Sequence, residues 1–573
     1  MWEIFITLAA VVALAWPLGR YLAAALGDAP TRIDRVFAPI ERFVYRLIGI
    51  DARRGMSWRG IALAFVASNA VLAVIVQAIL MLQNHLPLNP DGIPGMSWDV
   101  ALHTMASFLT NTNQQHYSGQ AQLSYFSQLA GIVTLQVVTP AMGLAIGLAV
   151  LRGLFGGRNV AMAKEGETRD LGNFYVDTVR SVLRVFLPLM LVWSLLLTWQ
   201  GVPSTFDGAK IAAPIDASAG MKEQVIPVGP VAPMVAIKQL GTNGGGWYGP
   251  NSAVPLENPT PLSNLFEIIA ILLVPMAIVF MIGRFTRRPK LTWLTLGVMA
   301  TFSLAFIGAA EWSELQPNAA TTGLAANGAN MEGKEQRLGP ATSALWSTLT
   351  TQTSNGSVNA MHDSLNPVAG GIAMAGMLVN AIWGGVGCGL VGFLVYLLVA
   401  VFLSGLMIGR TPEIYGRKIE VGEIRLLSLL VLLQPMLILT ATAAALSLPA
   451  LTANSNPGFH GVSQVFYEYA SAWANNGSGF EGLGDGTTWW NLSCVVLLLI
   501  GRYACLIIPL AVAGRLAAKR VAPVSPGTLD IETPTFALTL IAVIVLLTLL
   551  CFLPVLALGP IGEALSLAAH TVS

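Results

Sequence analysis

The sequence predicts an all-α integral membrane protein with ten transmembrane helices, arranged as four fused repeats with one extra helix at each end. Two observations give this prediction. The chain has 573 residues, of which 54% are hydrophobic and only 11% are charged, whereas a soluble domain carries about 25% charged residues. In addition, ten apolar segments are long enough to cross a bilayer, which takes about 20 residues. A chain of this composition has to keep most of its surface in lipid.

The ten apolar segments define the predicted organisation. They cover residues 2–26, 60–83, 128–152, 182–200, 264–284, 291–311, 372–409, 426–449, 489–513 and 535–557. The predicted units are a first helix with a cytoplasmic loop (1–59), four repeats (60–152, 180–284, 291–409 and 426–513) and a last helix (535–557). The N-terminal segment is predicted to be a retained helix, because it lacks the basic region that precedes the apolar core of a signal peptide.

Basic residues predict how the chain is oriented. Lys and Arg are concentrated in five alternate loops, which all fall on one side of the membrane if every segment crosses once. The five clusters are Arg32, Arg35, Arg42, Arg46, Arg53 and Arg54; Arg152, Arg158, Lys164 and Arg169; Arg284, Arg287, Arg288 and Lys290; Arg410, Arg417, Lys418 and Arg425; and Arg515, Lys519 and Arg520. That side is predicted to be cytoplasmic, so both termini are predicted outside. The net charge of +1 provides no basic field for nucleic acid.

The loops on the other side repeat a second pattern. Each contains an apolar stretch of about a dozen residues, too short to cross, then a run of small polar residues and then a full span. The apolar stretches are Trp98–Leu109, Pro230–Leu240, Pro340–Leu349 and Gly461–Trp473. The polar runs are named here loop 1 (Thr110–Gln115), loop 2 (Gly241–Gly246), loop 3 (Thr353–Ser357) and loop 4 (Ala474–Gly479). Their near-constant spacing indicates an internal repeat.

The composition of these loops points to a site for a large monovalent cation. Short helices that enter the membrane and stop there would direct the negative ends of their dipoles at a common cavity. The loops hold neutral oxygens and no carboxylate, which suits K+ better than Ca2+ or Mg2+, whose sites use Asp or Glu. Gly244, Gly356 and Gly477 allow the backbone to turn its carbonyls inward. The alternative is that all four are ordinary Gly- and Asn-rich outer loops.

The same loops carry a family resemblance. The matching stretches are Thr110–Gly119 (TNTNQQHYSG), Gly241–Gly246 (GTNGGG), Ser354–Asn359 (SNGSVN), Asn475–Gly479 (NNGSG) and Gly405–Glu413 (GLMIGRTPE). With these motifs the chain resembles the family of potassium-binding subunits of the bacterial potassium-transporting ATPase, the Kdp complex, over essentially its whole length. The resemblance implies a K+-channel-like fold in the bacterial inner membrane. It also implies a complex with two small accessory membrane subunits and the catalytic subunit of a P-type ATPase, so that ATP and Mg2+ act only through a partner.

The resemblance and the loop chemistry together give a set of candidate site residues. We expect K+ to be bound from outside in a selectivity filter made of Asn111, Thr112, Asn113, Thr242, Asn243, Gly244, Ser354, Asn355, Gly356, Asn475, Asn476 and Gly477. The family match places Gln115 at the pore entrance. Gly405, Arg410 and Arg502 are expected below the filter.

Two features speak against passive conduction. The segment 371–409, at about 1.5 Å per residue, would be nearly twice as long as the hydrocarbon core is thick. A break beneath the loops is therefore predicted, the alternative being one long tilted helix. Arg502 lies near mid-membrane, where a charge costs at least about 2.5–3.5 kcal/mol. It is predicted to oppose a K+ ion travelling straight through, the alternative being an ion pair with a carboxylate of a neighbouring helix.

The chain has neither a G-x-x-x-x-G-K-[ST] loop nor an Asp-Lys-Thr-Gly sequence, so the energy for transport has to come from a partner that hydrolyses ATP. The predicted function is therefore that of a non-catalytic, K+-selective binding and translocating subunit of an ATP-driven uptake complex. The alternatives are a stand-alone K+ channel or ion-coupled K+ transporter of the same superfamily, a secondary transporter with paired repeats, and a membrane enzyme.

Other polar residues are predicted to have no part in the chemistry. The four histidines of the outer loops, His103, His116, His362 and His460, show no ligand spacing. Cys388, Cys494, Cys505 and Cys551 are expected to be buried small hydrophobes. Asp363, Glu468 and Glu481 are expected near the outer mouth, where they would either raise the local K+ concentration or form solvated surface.

Overall fold

The computed structural model describes residues 2–27, 29–156, 170–216, 220–318, 320–321, 328–523 and 529–572. Within these ranges the chain is mostly helical. Three basic residues used to predict the orientation, Arg158, Lys164 and Arg169, lie outside the described residues.

Ten helices within the described part of the chain are long and apolar enough to cross a membrane, which confirms the predicted number. They are named the first to the tenth spanning helix in chain order: Glu3–Ala25, Trp58–His85, Ser127–Phe155, Phe174–Trp199, Pro261–Phe285, Pro289–Glu314, Cys388–Met407, Val421–Ser447, Thr488–Ala518 and Pro534–Ala569. Many of their exposed side chains are large and apolar, as in Phe5, Leu63, Leu195 and Leu550. Such side chains are suited to contact with lipid.

Burial follows the predicted repeat. In each repeat the spanning helix after the loop is more buried than the one before it. Buried residues make up 78%, 83%, 56% and 56% of the most apolar part of the third, fifth, seventh and ninth spanning helices. The corresponding fractions are 22%, 33%, 44% and 22% for the second, fourth, sixth and eighth. The first and tenth have 22% each, which places both extra helices at the periphery of the bundle.

Four shorter helices lead into the polar loops. They are named re-entrant helices 1 to 4: Trp98–Leu109, Val231–Leu240, Pro340–Gln352 and Gly458–Ala474. Within two residues of its end, each re-entrant helix is followed by a residue with positive φ: Asn111 (65°), Thr242 (51°), Ser354 (49°) and Asn475 (51°). An L-residue in the left-handed region cannot continue a right-handed helix, so the chain turns into the loop at this point.

The predicted break in the long seventh segment is present, and the alternative of one tilted helix is wrong. A helix over Pro367–Val379 ends at Asn380, which has φ 44°, and the seventh spanning helix begins at Cys388. The connection folds tightly because it contains Gly384 and Gly387, with φ of 61° and 79°. A Cβ on Gly387 would lie 2.3 Å from the carbonyl oxygen of Gly143, so this glycine allows the break to pack directly against the third spanning helix.

Several elements lie outside the predicted pattern. The loop after the first span contains a helix over Asp34–Leu47. Two hairpins are present, β1 (Lys210–Ala212) with β2 (Gln224–Ile226) and β3 (Glu413–Ile414) with β4 (Arg417–Lys418), in antiparallel registers that pair Lys210 with Ile226 and Glu413 with Lys418. The tenth spanning helix continues past residue 557 through a kink at Gly559 into a helix over Gly562–Val572. These short additions leave the predicted all-α membrane architecture intact.

The remaining helices are short. Single turns occur at Gln83–His85, Gly119–Gln122, Asn251–Ala253, His362–Ser364 and Pro449–Thr452, and wider π-turns within spanning helices occur at Ser127–Val133, Val182–Phe186 and Ala557–Ile561.

Candidate ion-binding site

The backbone of the four loops follows one pattern. In each loop an N–H donates to the carbonyl five residues earlier, near the end of the re-entrant helix. The bonds are Thr112 N to Ser107 O (3.0 Å), Asn243 N to Lys238 O (2.9 Å), Asn355 N to Thr350 O (3.0 Å) and Asn476 N to Ser471 O (3.0 Å). Two residues per loop have positive φ, separated by one residue: Asn111 and Asn113, Thr242 and Gly244, Ser354 and Gly356, Asn475 and Gly477. The same local fold is therefore built four times from different residues.

Three glycines allow neighbouring loops to touch. A Cβ on Gly244 would lie 1.9 Å from the Asn355 carbonyl oxygen of loop 3. A Cβ on Gly356 would lie 2.0 Å from the Asn476 carbonyl oxygen of loop 4, and one on Gly477 would lie 2.2 Å from the Thr112 carbonyl oxygen of loop 1. Loops 2, 3, 4 and 1 thus follow one another in a ring. Each of these contacts requires a residue without a side chain and with positive φ, which is what glycine supplies.

Loop 1 meets loop 2 through side chains, because it has Asn113 where the other loops have glycine. Gln115 exchanges two hydrogen bonds with the backbone of Gly246: its Nε2 donates to the carbonyl at 3.0 Å, and its Oε1 accepts from the N–H at 2.8 Å. Asn111 Nδ2 also donates to the carbonyl oxygen of Thr242 at 3.0 Å. These bonds close the ring on its fourth side.

At one position of the loop, the carbonyl group is buried and lacks a hydrogen-bond donor among the described residues in all four loops. The four residues, which hold the same position in their loops, are Thr112, Asn243, Asn355 and Asn476, all 0% exposed. No residue that the structure describes donates a hydrogen bond to any of these four carbonyl oxygens. Buried carbonyls almost always have a partner. Four unpaired carbonyls at equivalent positions of one ring can supply the oxygens that replace the hydration shell of a cation.

Loops 3 and 4 are supported from behind by neutral groups. The hydroxyl of Thr350 accepts from Gly356 N at 2.9 Å, and the hydroxyl of Ser471 accepts from Gly477 N at 2.9 Å. In both loops an asparagine amide crosses to the preceding re-entrant helix: Asn355 Nδ2 to Lys238 O (3.1 Å) and Asn476 Nδ2 to Thr350 O (2.8 Å). The two loops therefore have the same backbone conformation and equivalent supporting hydrogen bonds.

Loop 2 is supported by a buried charge at the position that holds a hydroxyl in the other repeats. Lys238 is 0% exposed. Its Nζ contacts Asn251 Oδ1 (2.7 Å), Ser252 Oγ (2.6 Å), the carboxylate of Glu257 and, at 4.0 Å, that of Glu267. Asn251 in turn donates from Nδ2 to the carbonyl of Gly244 at 2.7 Å. The lysine is thus linked to the loop through one side chain.

Loop 1 is also supported by charged and ring-bearing residues. Ser107 Oγ donates to the Gln114 carbonyl at 2.8 Å, while Gln114 Nε2 donates to the carboxylate of Glu468. His116 Nε2 lies 3.1 Å from the same carboxylate, and its ring stacks on that of His103. Glu468 is 1% exposed, so the alternative that it forms solvated surface is wrong. The sequence could not show that a residue on re-entrant helix 4 reaches loop 1.

A cavity lies at the ends of the re-entrant helices. Its lining includes Asn111, Ser354 and Asn475 from the loops, Asn380, Gly385 and Cys388 from the break, and Arg502 from the ninth spanning helix. The break is tied to the loops, since Ser354 Oγ donates to Asn380 Oδ1 at 2.8 Å and Val386 N donates to Thr242 Oγ1 at 3.0 Å. An ion that left the ring on this side would enter a space that contains a guanidinium group.

Arg502 is buried, with 4% of its surface exposed. Its Nη1 lies 2.7 Å from Cys388 Sγ, and its Nη2 donates to the Thr139 carbonyl at 3.1 Å. Among the described residues, no carboxylate lies within salt-bridge distance of Arg502. The described residues therefore do not form the alternative, an ion pair between Arg502 and a carboxylate of a neighbouring helix. The positive charge of Arg502 faces the cavity.

The structure does not bring Gly405 and Arg410 to this cavity. Both lie at the far end of the seventh spanning helix, where Arg410 N donates to the Gly405 carbonyl at 2.8 Å. Gly405 is buried against Pro412, to which its Cβ would come within 3.1 Å, while Arg410 is exposed. The two residues accordingly shape the turn that ends this helix.

Sequence reasoning overlooked the charged support of loop 2, although one signal was available. Lys238 is the single charged residue within the apolar stretch Pro230–Leu240. A lone charge at membrane depth indicates that a polar or charged partner lies nearby. Its partners Glu257 and Glu267 lie beyond the loop, and no pattern in the sequence distinguishes them from other carboxylates.

Comparison with known proteins identifies the family. Residues 5–565 match the model of the family described as "Potassium-transporting ATPase A subunit". The chain is 47% identical to a potassium-transporting ATPase potassium-binding subunit of Gloeobacter violaceus over 570 residues, which cover 98% of this chain and 97% of the relative. It is 46% identical to the protein of the same name from Pseudomonas aeruginosa, with 96% of both chains covered.

Among solved structures, the potassium transporter TrkH from Vibrio parahaemolyticus matches with a TM-score of 0.49 and 15% identity, covering 86% of this chain and 97% of that one. The family match and the two relatives span almost the full length of the sequence. The chain therefore belongs to the family of the potassium-transporting ATPase A subunit.

Proposed function

We propose that this chain is the K+-selective binding and translocating subunit of an ATP-driven K+ uptake complex. The observation that carries the proposal is the ring of four buried carbonyls, at Thr112, Asn243, Asn355 and Asn476, that accept no hydrogen bond from a described residue. Neutral carbonyl oxygens in such a ring suit a large monovalent cation. The names of the relatives, which are potassium-binding subunits, support K+ as that ion.

In this proposal the loops form the selectivity filter. Its residues are Asn111, Thr112, Asn113, Thr242, Asn243, Gly244, Ser354, Asn355, Gly356, Asn475, Asn476 and Gly477, with Gln115 at the entrance. K+ enters from outside, and both termini lie on that side of the bacterial inner membrane. The catalytic subunit of a P-type ATPase, which uses ATP and Mg2+ and is joined by two small accessory subunits, supplies the energy. The family match to an ATPase subunit supports a complex of this kind.

The filter assignment is tested by placing a carboxylate in the ring. In Gly244→Asp, the new Cβ would meet the Asn355 carbonyl oxygen, at 1.9 Å, and the residue would keep an unfavourable positive φ. We expect apparent K+ affinity to fall at least tenfold, and discrimination against Rb+ and NH4+ to be lost. The measurement is K+-stimulated ATP hydrolysis and ion uptake by the intact complex in vesicles.

A matched control is available in an outer loop. Gly92 also has positive φ, 65°, and a Cβ placed there meets nothing within 4 Å. Gly92→Asp adds the same charge and the same backbone strain away from the ring, so its K+ affinity and selectivity should equal those of the wild type. If Gly244→Asp behaves like Gly92→Asp, Gly244 is not part of the filter.

The second candidate function, a stand-alone K+ channel or ion-coupled transporter, is separated from the first by Arg502. At an effective dielectric constant of about 20, a K+ ion about 6 Å from a guanidinium is repelled by about 3 kcal/mol. A fixed charge in the cavity below the ring suits a subunit that diverts ions to a partner more than it suits an open pore. Co-purification of the chain with an ATPase would support the first function, and its absence would favour the second.

We expect Arg502→Gln, in the complete complex, to leak K+ down its gradient without ATP. Arg502→Lys, which keeps the charge but not the forked geometry, should retain much of the block. The measurement is passive 86Rb+ or K+ efflux from sealed vesicles. A tight and fully coupled Arg502→Gln complex would show that the residue has a structural role only.

A further inference from the structure

Three residues from three separate segments meet behind loop 1. His116 follows the loop, Glu468 lies on re-entrant helix 4, and Cys494 lies on the ninth spanning helix. His116 Nε2 is 3.1 Å from Glu468 Oε1, and Cys494 Sγ is 3.8 Å from the same oxygen. All three ligand atoms lie within 4.8 Å of one another, and all three residues are buried. An imidazole, a carboxylate and a thiol thus converge on one small volume.

The surroundings orient the imidazole as a metal ligand. Asn491 Nδ2 donates to Asp99 Oδ2 at 3.0 Å, which turns the Asn491 oxygen toward His116 Nδ1, 2.8 Å away. His116 therefore donates from Nδ1, while its Nε2 donates to the Glu468 carboxylate, and a bound metal would take the place of this second proton. The ring is also held by stacking on His103, with centroids 3.6 Å apart. Fixing the remote nitrogen in this way is how proteins prepare a histidine for a metal.

The site has a route to the outer solution. A carboxylate oxygen of Asp485 lies 3.9 Å from His116 Nε2, and its side chain is 33% exposed, while that of His116 is 0% exposed. Asp485 can therefore serve as a fourth ligand at the entrance. A nitrogen, a sulfur and two carboxylates match the ligand preferences of Zn2+. They do not match those of Ca2+ or Mg2+, which take oxygen ligands only.

The distances are close to those of a tetrahedral zinc site. Metal–ligand bonds of about 2.0–2.3 Å place tetrahedral ligands about 3.3–3.8 Å apart. The nitrogen–oxygen and sulfur–oxygen separations of 3.1 and 3.8 Å are already near this range. A movement of the Cys494 sulfur by about 1 Å would bring the three inner ligands into this range. Asp485, 3.9 Å from His116 Nε2, would have to move toward the other two as well. Binding would release the thiol proton and the proton on His116 Nε2 to solvent, and would form a sulfur–metal and a nitrogen–metal bond.

We propose that His116, Glu468, Cys494 and Asp485 form an outward-facing site for Zn2+ or a cation of the same class, and that its occupation weakens K+ binding. The second half rests on the proposed function. Gln114 Nε2 donates to the same Glu468 oxygen that would bind the metal. Its backbone lies against loop 4, since a Cβ on Gly477 would be 3.1 Å from Gln114 N. A metal that takes this oxygen removes an anchor of loop 1.

The binding half is tested on the intact purified complex with Zn2+ alone, by equilibrium dialysis and metal analysis. We expect one Zn2+ per chain, and a Kd raised at least tenfold in Cys494→Ser. Cys551→Ser, the matched thiol control on the tenth spanning helix, should bind like the wild type. Thermal unfolding of the metal-free variants checks that each is folded. Equal binding by Cys494→Ser and the wild type would overturn the site.

A spectroscopic measurement distinguishes this site from one formed by other thiols. Cys388, Cys505 and Cys551 line the cavity near Arg502, and a metal bound there by at least two of them would have at least two sulfur neighbours. X-ray absorption of the Cd2+-loaded protein should show one sulfur neighbour together with nitrogen and oxygen neighbours. Two sulfur neighbours, or loss of binding in Cys388→Ser but not in Cys494→Ser, would place the metal elsewhere and refute the assignment.

The inhibitory half is tested separately. Saturating Zn2+ should raise the K+ concentration for half-maximal ATP hydrolysis several-fold in the wild type and in Cys551→Ser, but not in Cys494→Ser. If Zn2+ binds through Cys494 without altering the K+ dependence, the coupling to loop 1 is wrong while the metal site stands. If K+ has no effect on hydrolysis in metal-free protein, the proposed function fails independently of the metal site.

Discussion

Loops 3 and 4 differ from loops 1 and 2 in the side chains that support them, although all four loops have the same backbone conformation. Behind loops 3 and 4, the hydroxyls of Thr350 and Ser471 accept from the glycine N–H groups. Behind loop 2 the equivalent position is Lys238, which is paired with buried carboxylates. Behind loop 1, Ser107 retains a hydroxyl but donates to the Gln114 carbonyl instead.

This difference shows that the backbone geometry of the ring is constrained more tightly than the identity of the side chains that support it. Each loop keeps the same i to i−5 hydrogen bond and the same pair of positive φ values. The supports vary because a backbone N–H or carbonyl can be fixed by a hydroxyl, an amide or a charged group, provided that no buried polar atom is left without a partner. Substitutions behind each loop can therefore separate the stability of the protein from its affinity for the ion.

The largest effect is expected from Lys238→Met. Removing one member of a buried ion pair leaves an uncompensated charge, and this destabilises proteins by about 3–5 kcal/mol. Glu257 and Glu267, both 0% exposed, would be left facing each other without the cation. We expect a strongly lowered temperature of thermal unfolding in detergent. K+ affinity should fall as well, because Asn251, which holds the Gly244 carbonyl, loses its bond to Nζ.

Lys334→Met separates these two effects. Lys334 forms another fully buried pair, with Glu314 at 2.7 Å, both side chains being 0% exposed, but its side chain has no hydrogen bond to loops 1 to 4 among the described residues. It should therefore lower the unfolding temperature by a similar amount while the folded fraction keeps wild-type K+ affinity. The double variant Lys238→Met/Glu257→Gln should recover part of the lost stability, because it removes one of the two carboxylates. Equal K+ affinities in Lys238→Met and Lys334→Met would contradict a link between Lys238 and the ring.

The sequence was sufficient to predict the membrane architecture. Span number follows from the length of apolar segments, and re-entrant helices 1 to 4 follow from stretches such as Trp98–Leu109 that are apolar but too short to cross. A break in the seventh segment was predicted from the same comparison of length with bilayer thickness, whereas its position after Asn380 comes from the structure. The helix over Asp34–Leu47 was overlooked, because its charged residues were considered only as evidence of orientation.

A smaller effect is expected from Thr350→Val. Valine keeps the shape of threonine but removes the oxygen that accepts from Gly356 N. A buried N–H left without a partner costs about 1–3 kcal/mol. The unfolding temperature should fall, and K+ affinity should weaken because Gly356 touches the Asn476 carbonyl. Ser471→Ala should do the same in loop 4.

Thr348→Val is the control on the same helix. Thr348 is 1% exposed, and its hydroxyl donates at 2.8 Å to the Ala344 carbonyl, which the helix backbone also uses. Its loss therefore leaves no backbone group unpaired, and K+ affinity should not change. If Thr348→Val and Thr350→Val weaken K+ binding equally, the hydroxyl behind loop 3 does not position the ring.

The supports behind the loops could not be predicted as readily as the loops. A polar run within an apolar sequence identifies loop 2 by itself, whereas the contact of His116 with Glu468 and Cys494 joins three distant segments. Each of those residues has an ordinary interpretation when considered alone, as a loop histidine, a surface carboxylate or a buried thiol. Only the packing of re-entrant helix 4 and the ninth spanning helix against loop 1 shows that they share one site.

The smallest effect is expected in the first turn of re-entrant helix 4, where charged groups meet, in contrast to the neutral groups that support loop 4. His460 lies between Asp363 (3.0 Å) and Glu563 (2.9 Å). Hydrogen bonds to these two carboxylates raise its pKa from 6.5 to about 10. Because the folded state holds the proton more tightly, the stabilisation is complete below pH 6.5 and is lost as the pH rises toward 10.

We therefore expect His460→Gln to be less stable than the wild type at pH 6, by about 1 kcal/mol for a partly exposed group, and nearly equal to it above pH 10. The measurement is the difference in unfolding temperature between the two proteins across this range. Taking the difference removes the contribution of titratable groups that are present in both proteins. His85→Gln is the control, since His85 is exposed and forms no ion pair among the described residues. A difference that stays constant with pH would mean that His460 contributes packing rather than charge.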